Sequence, residues 1–564
     1  MKARGARWVL LIAATTMAVS GCSSDASVPS VSRDGFEFVD VAPEVGLDFR
    51  NGVFRWDESP DPGAMLGGGV CWLDYDGDGW LDLFAVNSFA EDEAARWEEN
   101  GGLPRAALFR NDGGEFVDES SDSGADLAIR GNGCVAADFD LDGHTDLYVT
   151  SSRAGALLWN EGDGTFTEGA RAAGLDAFGW YAGATVADVN QDGWPDIFVA
   201  GYVDLNNPVV EATQGFPHTY LGVRDLLYLN EGRRSGDRPT FREVGVEAGL
   251  EAANLEYGLG ALFSDFDRDG DADLYVANDT TPNRLYDNVQ WPGGPGADPA
   301  GLGFRFEELA GRAGVADPNS GMGIAAGDFD VDGRSDLFVT NARGQVHAVF
   351  QSAPPESVDP LFTDVRAELG VDLGGSTGWG TTWADLDLDA DLDLVVVNGD
   401  IPVTDLGADG ERIRAFENTG GAHGPPEFRE AGPAAGLDDV DPLVGRGSAA
   451  ADFDNDGDQD IAVNSIGGRL ALLENMGSSG NWLQVAMSSF LPGTVVTARL
   501  PDGVELVREV QAGSSYLSSE DPRVHFGLGN ATEVAELTVT GPRGRTTTYR
   551  DVAANQVFAV WGPR

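Results

Sequence analysis

Short runs of β-branched and aromatic residues recur along most of the chain, and segments rich in glycine and aspartate separate them. Examples are Asp-Leu-Tyr-Val-Thr at 146–150 and Asp-Ile-Phe-Val-Ala at 196–200. Short apolar runs bounded by turn residues are typical of β-strands rather than of helices. The pattern therefore predicts an all-β protein built from many short strands.

One acidic nonapeptide, Asp-x-(Asp/Asn)-x-Asp-(Gly/Ala)-x-x-Asp, occurs seven times at spacings between 50 and 77 residues. The copies begin at Asp74, Asp138, Asp188, Asp265, Asp328, Asp385 and Asp452. Five residues before each copy stands a glycine, followed mostly by small or apolar residues. The seven glycines are Gly69, Gly133, Gly183, Gly260, Gly323, Gly380 and Gly447. Small residues at this point predict a strand packed closely against its neighbours near a central axis.

Each repeat carries the pattern of four strands, which is typical of one blade of a β-propeller. A β-helix is the alternative, but its repeats are much shorter. The fourth strand of each repeat is expected to begin at Phe38, Phe116, Phe166, Phe241, Phe306, Phe362 and Phe428. One such strand precedes the first acidic copy and none follows the last. We therefore expect Phe36–Val41 to complete the seventh blade and join the two ends of the ring, which removes an open sheet edge.

The nonapeptides concentrate oxygen ligands of the kind that Ca²⁺ prefers. Positions 1, 3, 5 and 9 supply side-chain oxygens, position 6 permits a sharp turn, and the variable position 7 is expected to bind through its backbone carbonyl. We predict about seven calcium sites, with these ligands: Asp74, Asp76, Asp78, Trp80 and Asp82; Asp138, Asp140, Asp142, His144 and Asp146; Asp188, Asn190, Asp192, Trp194 and Asp196; Asp265, Asp267, Asp269, Asp271 and Asp273; Asp328, Asp330, Asp332, Arg334 and Asp336; Asp385, Asp387, Asp389, Asp391 and Asp393; Asp452, Asp454, Asp456, Asp458 and Asp460.

The copies differ from an EF-hand and also from one another. An EF-hand needs a glutamate at position 12 and flanking helices, whereas position 12 here is alanine or valine inside an expected strand. Asn190 removes one negative charge from the third copy, and Ala390 replaces glycine in the sixth. If the backbone at Ala390 is left-handed, the substitution costs about 1 kcal/mol.

The repeats resemble FG-GAP/VCBS repeats and are similar to the integrin α-chain propeller. The tail resembles an ASPIC/UnbV domain at Arg508-Glu-Val, Gly513-Ser-Ser-Tyr-Leu-Ser-Ser, His525-Phe-Gly-Leu-Gly and Ala553-Ala-Asn-Gln. Together they are similar to the cartilage acidic protein family. The resemblance implies a seven-bladed propeller over 36–478, a small β-rich domain over 481–564, calcium binding, and a secreted or surface-attached protein. It names neither a ligand nor a reaction.

The composition argues against a nucleic-acid-binding protein and against a disordered chain. The 564-residue chain has 93 acidic and 36 basic residues and a formal net charge of −57. A nucleic-acid partner is therefore not expected, since phosphate binding needs a basic surface. A content of 42% hydrophobic and 9% aromatic residues is too apolar for a disordered acidic chain, so the acids must belong to a folded protein.

The first residues have the features of an export signal. Lys2, Arg4 and Arg7 precede an apolar run over 8–19 that is too short to span a bilayer. The run ends in Val-Ser-Gly-Cys, which resembles a bacterial lipobox, so residues 1–21 are predicted to be a lipoprotein signal peptide and Cys22 the lipidated residue. Residues 22–35 would form a flexible linker. Ser23 after the lipidated cysteine is consistent, by resemblance to lipoprotein sorting, with the outer membrane and cell surface.

Two further cysteines, Cys71 and Cys134, lie three and four residues before their acidic copies. This opposite parity places their side chains on opposite faces of consecutive innermost strands. Facing sides of adjacent blades are also opposite faces, so the two side chains either meet or both point away. An inter-blade disulfide and two buried thiols are both open at this point.

A search for catalytic groups gives no enzyme signature. The five histidines form no metal-binding pair, and no Gly-x-Ser-x-Gly motif is present. We expect a non-catalytic, monomeric module that binds a protein or glycan and contacts the membrane only through its lipid. The alternatives are a propeller-based polysaccharide lyase or hydrolase and an accessory subunit of an outer-membrane complex. Two insertions, 49–65 with Phe54 and Trp56 and 202–220 with Phe216, either carry the ligand surface or cap the core.

Overall fold

The computed structural model describes residues 35–560 apart from 55, 57–60, 234–237, 251–254, 355–360, 423 and 488–490. The predicted signal peptide, Cys22 and nearly all of the predicted linker lie outside the described residues. Strands are numbered β1 to β37 in chain order. None of the helices in the described ranges is long and apolar enough to cross a membrane.

Seven four-stranded antiparallel sheets follow one another along the described chain. From the innermost strand outward, the first six are Val70–Leu73, Asp82–Ala85, Ala107–Asn111 and Phe116–Asp118 (β2 to β5); Gly131–Ala137, Asp146–Ser151, Ala156–Asn160 and Phe166–Glu168 (β6 to β9); Tyr181–Ala187, Asp196–Gly201, Leu226–Asn230 and Phe241–Glu243 (β10, β11, β14, β15); Gly258–Ser264, Asp273–Asn278, Arg284–Gln290 and Phe304–Glu308 (β16 to β19); Ile324–Gly327, Asp336–Val339, Ala348–Ser352 and Phe362–Asp364 (β20 to β23); Gly378–Ala384, Asp393–Asn398, Arg414–Asn418 and Phe428–Glu430 (β24 to β27).

The seventh sheet joins the two ends of the ring. Its inner strands are Gly445–Ala451, Asp460–Ser465 and Ala471–Asn475 (β28 to β30), and its outer strand is Phe38–Asp40 (β1), which pairs antiparallel with β30. The innermost strand of each blade contacts that of the next, and the seventh contacts the first. The predicted propeller and its closure by residues 36–41 are confirmed.

The glycines that precede the acidic copies allow the innermost strands of neighbouring blades to approach one another closely. A β-carbon on Gly323 would lie 2.0 Å from the carbonyl oxygen of Trp379 in the next blade, and one on Gly260 would lie 2.2 Å from that of Met322. Any side chain at these positions would therefore push neighbouring blades apart. The expectation of closely packed inner strands is confirmed.

Short helical turns lie in the connections between strands, both between blades and within the first blade. They are Pro62–Met65 (α1), Ala94–Glu99 (α2), Ser120–Ser123 (α3), Ala170–Ala173 (α4) and Ala310–Ala313 (α5), with 3-10 turns at Glu91–Glu93 and Gly432–Ala435. The turns α3, α4 and α5 end at Gly124, Gly174 and Gly314, whose φ values of +78°, +85° and +86° are typical of helix termination by glycine.

The tail after the seventh blade forms two sheets. Asn481–Met487 (β31) pairs antiparallel with Val524–Gly529 (β34) and parallel with Val557–Val560 (β37). The second sheet has the order Glu505–Glu509 (β33), Val495–Arg499 (β32), Glu533–Thr540 (β35) and Thr546–Ala553 (β36). Residues 34–564 form one compact unit, because the tail packs directly into the propeller.

A tail segment, residues 512–519, fills the centre of the ring, and we call it the plug. The Ala512 carbonyl accepts the N–H of Val186, and Ser515 bonds to Ile324. Ser519 exchanges backbone hydrogen bonds with β2, accepting from Trp72 and donating to Val70. The plug thus bonds the inner strands to one another through a segment that is distant in sequence.

Candidate metal centres

All seven acidic copies form the same turn between the first and second strands of a blade. The sixth position has a φ between +82° and +101° in every copy, and in the sixth copy this residue is Ala390. The backbone N–H of this residue donates to the position-1 aspartate in each copy. The backbone at Ala390 is therefore left-handed, which is the condition under which alanine in place of glycine costs about 1 kcal/mol.

The fourth position is also left-handed, which sequence reasoning missed. Its φ values lie between +55° and +76°, and only the first copy has glycine there. The other six residues are Leu141, Gln191, Arg268, Val331, Leu388 and Asn455. A left-handed residue other than glycine costs on the order of 1–2 kcal/mol. These turns are thus held in a costly conformation that directs carboxylates inward.

The position-9 aspartates are buried and hold the loops in place through hydrogen bonds. All seven are at most 2% exposed. In the first copy, Asp82 accepts the N–H of Tyr75 at 3.0 Å through one oxygen and that of Asn111 at 2.8 Å through the other. The same pair of bonds recurs in the other six copies. Each carboxylate therefore bonds its loop to the end of the third strand.

Asparagines at the ends of the third strands bond each loop to the next blade. Asn111 donates its side-chain amide to the Phe453 carbonyl at 2.8 Å, which links the first blade to the seventh loop. Equivalent bonds join Asn160 to Tyr75, Asn230 to Phe139, Asn288 to Val189, Asn418 to Phe329 and Asn475 to Leu386. The fifth blade has Ser352 instead, and its hydroxyl donates to Ser335 within the same loop. Six of the seven junctions thus carry this bond.

The loops bring carboxylate oxygens close enough to share one cation. Oxygens from three aspartates lie within 4.8 Å of one another in each of five clusters: Asp74, Asp76 and Asp82; Asp138, Asp140 and Asp146; Asp265, Asp267 and Asp269; Asp328, Asp330 and Asp332; Asp385, Asp387 and Asp389. Positions 1, 3 and 9 come together in the first two of these clusters, and positions 1, 3 and 5 come together in the other three. At position 7, the backbone N–H donates to the position-5 carboxylate in all seven copies, so this residue follows the same turn.

Without a cation, these carboxylates are strongly perturbed. Burial raises the pKa of Asp82 to about 8, and the neighbouring charges of Asp76 and Asp74 add to the shift. Burial likewise raises the pKa of Asp328 to about 7 and that of Asp452 to about 8. In the sixth loop, Oδ2 of Asp385 accepts the Ala390 N–H at 3.0 Å, whereas its buried Oδ1 has no hydrogen-bond partner among the described residues. The donor set and this buried oxygen both fit a hard cation.

Comparison with known proteins agrees with this geometry. The model of the FG-GAP-like repeat matches residues 74–149 and 138–199, and the model named ASPIC and UnbV matches residues 486–561. The chain contains FG-GAP-like repeats and an ASPIC and UnbV domain.

The chain is also similar to vertebrate proteins. The chain is 28% identical over 340 residues to cartilage acidic protein 1 of Mus musculus, covering 57% of this chain and 47% of the relative. It is 25% identical over 536 residues to that of Xenopus tropicalis, covering 90% and 74%. The chain spans about half the length of the mouse and human relatives it matches.

A solved structure of an Agrocybe aegerita lectin that recognises non-reducing terminal N-acetylglucosamine is also similar. It is 14% identical, and the similarity covers 67% of this chain and 89% of the lectin with a TM-score of 0.37.

The ASPIC and UnbV domain covers part of the FG-GAP loop face. Gln484 donates to Oδ2 of Asp452 at 3.0 Å, and Arg523 donates to the Asp452 carbonyl at 2.7 Å. The His525 ring lies 2.9 Å from the Gly457 carbonyl, and burial lowers the pKa of His525 to about 4. His525 therefore links the domain to the seventh loop.

The cysteine pair is bonded. Cys71 in β2 and Cys134 in β6 form a disulfide with a Cα–Cα distance of 6.2 Å, inside a core shared by the first two blades. Of the two alternatives that the parity argument left open, the structure shows side chains that meet.

The two insertions both cap the core and reach solvent. Phe54 is buried, whereas Trp56 is partly exposed and packs against Trp97 at a ring distance of 4.5 Å. In the second insertion, Val203–Pro208 (β12) and Tyr220–Gly222 (β13) form a hairpin, and Phe216 is 38% exposed. The insertions lie at the strand ends opposite the acidic loops.

Proposed function

We propose that this protein is a calcium-stabilised, non-catalytic module, held outside the cytoplasm by a lipid on Cys22, that binds a protein or glycan. The observation that supports it most strongly is the buried, unpartnered Oδ1 of Asp385 within a cluster of three aspartates. A calcium ion would be bound by positions 1, 3, 5 and 9 of each loop together with the position-7 carbonyl.

Bound calcium is expected to stabilise the folded protein substantially. Extracellular calcium modules bind with Kd of about 10⁻⁴–10⁻³ M, so about 1 mM calcium adds roughly 0.4–1.4 kcal/mol for each site. Seven such sites would add roughly 3–10 kcal/mol, comparable with the total stability of about 5–15 kcal/mol of a typical protein. Metal-free protein should therefore melt at a clearly lower temperature than the calcium-loaded form.

The test is calcium titration calorimetry of the metal-free protein, combined with thermal unfolding. About seven ions should bind, and Asp385→Asn should remove one of them while Glu211→Gln, an exposed acid in the second insertion, should remove none. An unchanged melting temperature on metal removal would overturn the calcium role.

The ligand surface is proposed to lie opposite the acidic loops. On the loop face, the ASPIC and UnbV domain contacts the seventh loop through Gln484 and Arg523 and packs Gly527 against Asp385. The insertions carrying Trp56 and Phe216 reach solvent at the other face, and loops of this kind often carry function. Trp56→Ala or Phe216→Ala should weaken ligand binding and leave calcium-dependent melting unchanged, whereas calcium removal should weaken binding by loosening the whole propeller.

The N-terminal sequence supports the proposed export and lipid anchoring. The repeats support an extracellular location, since FG-GAP repeats are typical of extracellular proteins. Metabolic labelling with a palmitate analogue should tag the wild-type chain in membranes, and Cys22→Ser should abolish the label. Turnover of a polysaccharide or ester by the calcium-loaded protein, lost on a single histidine or tyrosine substitution, would defeat the non-catalytic assignment.

A further inference from the structure

The ring has a deep pocket at the end opposite the acidic loops, which we call the mouth pocket. Leu259, Met322 and Trp379 line its inner part, at or just before the starts of three innermost strands. Phe216 and the segment 401–404 contribute from the connections around it. The plug closes the axis beneath, because Tyr516 packs against Trp379 at a ring distance of 4.9 Å and donates to the Leu66 carbonyl. The pocket is therefore a cup rather than a channel.

The size and lining of the mouth pocket suit a small organic molecule. Its volume is about 700 Å³, within the range of roughly 300–1,000 Å³ that is usual for ligand sites. Twelve of its sixteen lining residues are apolar or aromatic, and Asp279 is the only one that carries a charge. A ligand for the mouth pocket needs a largely apolar body and few polar groups.

Asp279 lies on the wall with its carboxylate held in place. Its Oδ2 accepts the hydroxyl of Tyr202 at 2.7 Å, and the Tyr202 ring lies 5.8 Å from that of Phe216 in an edge-on arrangement. Burial raises the pKa of Asp279, and Tyr202 and Ser320 oppose the shift by hydrogen bonding. The electrostatic interaction with the His218 side chain opposes the shift as well.

We propose that the mouth pocket binds an organic cation, a protonated amine on an apolar or aromatic body, with Asp279 as the counter-ion. The ammonium group would lie between the Asp279 carboxylate and the aromatic rings of Tyr202 and Phe216. The carboxylate would accept a charge-assisted hydrogen bond from it, and the rings would attract it through cation–π interactions. The apolar body would occupy the space lined by Leu259, Met322 and Trp379. The net charge of −57 would raise the local concentration of cations around the whole molecule.

A glycan fits this pocket less well. Sugar recognition needs many polar partners, and Thr280, Ser320 and Thr404 are the only hydroxyl-bearing aliphatic side chains in the lining. An anionic ligand would meet Asp279 and no arginine among the lining residues. The negative charge of Asp279 thus favours a cationic ligand over an anionic one.

The experiment measures binding of 4-phenylbutylamine to calcium-loaded, full-length protein at pH 8 by titration calorimetry. Its neutral analogue 4-phenylbutan-1-ol and the glycan N,N′,N″-triacetylchitotriose are the comparison ligands. Asp279→Asn keeps the shape of the side chain and removes the charge, and Glu211→Gln removes one charge from the nearby insertion. Melting curves of both variants establish that they fold.

The amine should bind on the order of tenfold to a hundredfold more tightly than the alcohol, and Asp279→Asn should abolish that difference. Glu211→Gln should leave it unchanged, and Phe216→Ala should weaken both ligands. Equal binding of amine and alcohol by the wild-type protein, full amine binding by Asp279→Asn, or absence of amine binding at about 10 mM would each overturn the proposal. Binding of the chitotriose in place of the amine would also overturn it and would make the pocket a glycan site.

This inference rests on the proposed role of the face opposite the loops in ligand binding. The two fail separately, because loss of amine binding would leave the calcium titration and the effect of Trp56→Ala on a macromolecular ligand as they are.

Discussion

Asn160 donates its side-chain amide to the main-chain oxygen of Tyr75 over 2.8 Å, and this bond ties the second blade to the first acidic loop. Both groups are buried, so the carbonyl has no access to solvent as a replacement partner. Bonds of this kind join six of the seven blade junctions, and the junction between the fourth and fifth blades lacks one because Ser352 stands in the asparagine position.

We expect Asn160→Ala to lower the free energy of unfolding by about 1–3 kcal/mol, the usual cost of leaving buried polar groups unpaired. The reverse change, Ser352→Asn, should raise it by about 1 kcal/mol, because the new amide could reach the Phe266 carbonyl of the fourth loop. Urea unfolding in saturating calcium measures both changes. Equal stability of Asn160→Ala and wild type would show that the ring of asparagines is not a stabilising element.

The response to pH should be opposite in metal-free and calcium-loaded protein. The folded-state pKa of Asp82 and that of Asp452 are raised to about 8, above the unfolded value of about 4. The folded metal-free protein therefore binds more protons than the unfolded chain between about pH 4 and 8, and its stability falls as the pH rises through this window. Calcium needs the ionised carboxylates, so the stabilisation that it adds should grow over the same window. Melting curves of dialysed protein with and without calcium at pH 5.5 and pH 8 check both signs.

Leu141 offers a direct test of strain in the loops. It has a φ of +55° at the fourth position of the second loop, and it is 40% exposed. Leu141→Gly should raise the free energy of unfolding by about 1 kcal/mol, because glycine adopts this conformation without steric cost. Leu141→Ala is the matched control, since it shortens the side chain and keeps the β-carbon. A similar gain in both variants would attribute the effect to the side chain rather than to the backbone.

The Cys71–Cys134 disulfide should contribute appreciably to stability. It closes a segment with a sequence separation of 63 residues, for which a loss of about 2–4 kcal/mol on removal is typical. Peptide mapping without reduction should recover the linked pair, and the double change Cys71→Ala with Cys134→Ala should lower the melting temperature. Recovery of both cysteines as free thiols from exported protein would contradict the bond.

The periodic features of the fold could be predicted from the sequence. Seven aspartate-rich copies define the blades, and Phe38 ahead of the first copy is enough to predict that β1 closes the ring. These features are local, since each depends on residues that are neighbours in the chain. The sharp turn at Gly79 and its six equivalents belongs to the same class.

Features that depend on contacts between distant residues could not be predicted. Val331 has a left-handed backbone although it is β-branched, and no single-residue preference indicates this. Position 9 could be proposed as a ligand, but its two backbone bonds require the end of the third strand to lie beside the loop. No sequence motif marks Asp279 as a binding residue. Its position in the mouth pocket depends on the hairpin and the innermost strands, which are distant in sequence.

The position of the plug has a consequence for biosynthesis. Residues 512–519 are made after all seven blades, and Leu517 lies against both Gly69 and Gly133 near the start of the ring. A chain that ended before Gly513 would contain every strand of the propeller and yet enclose an empty axis. The plug would thus act as a length check, because only a chain that extends past residue 519 can fill the interior of the ring.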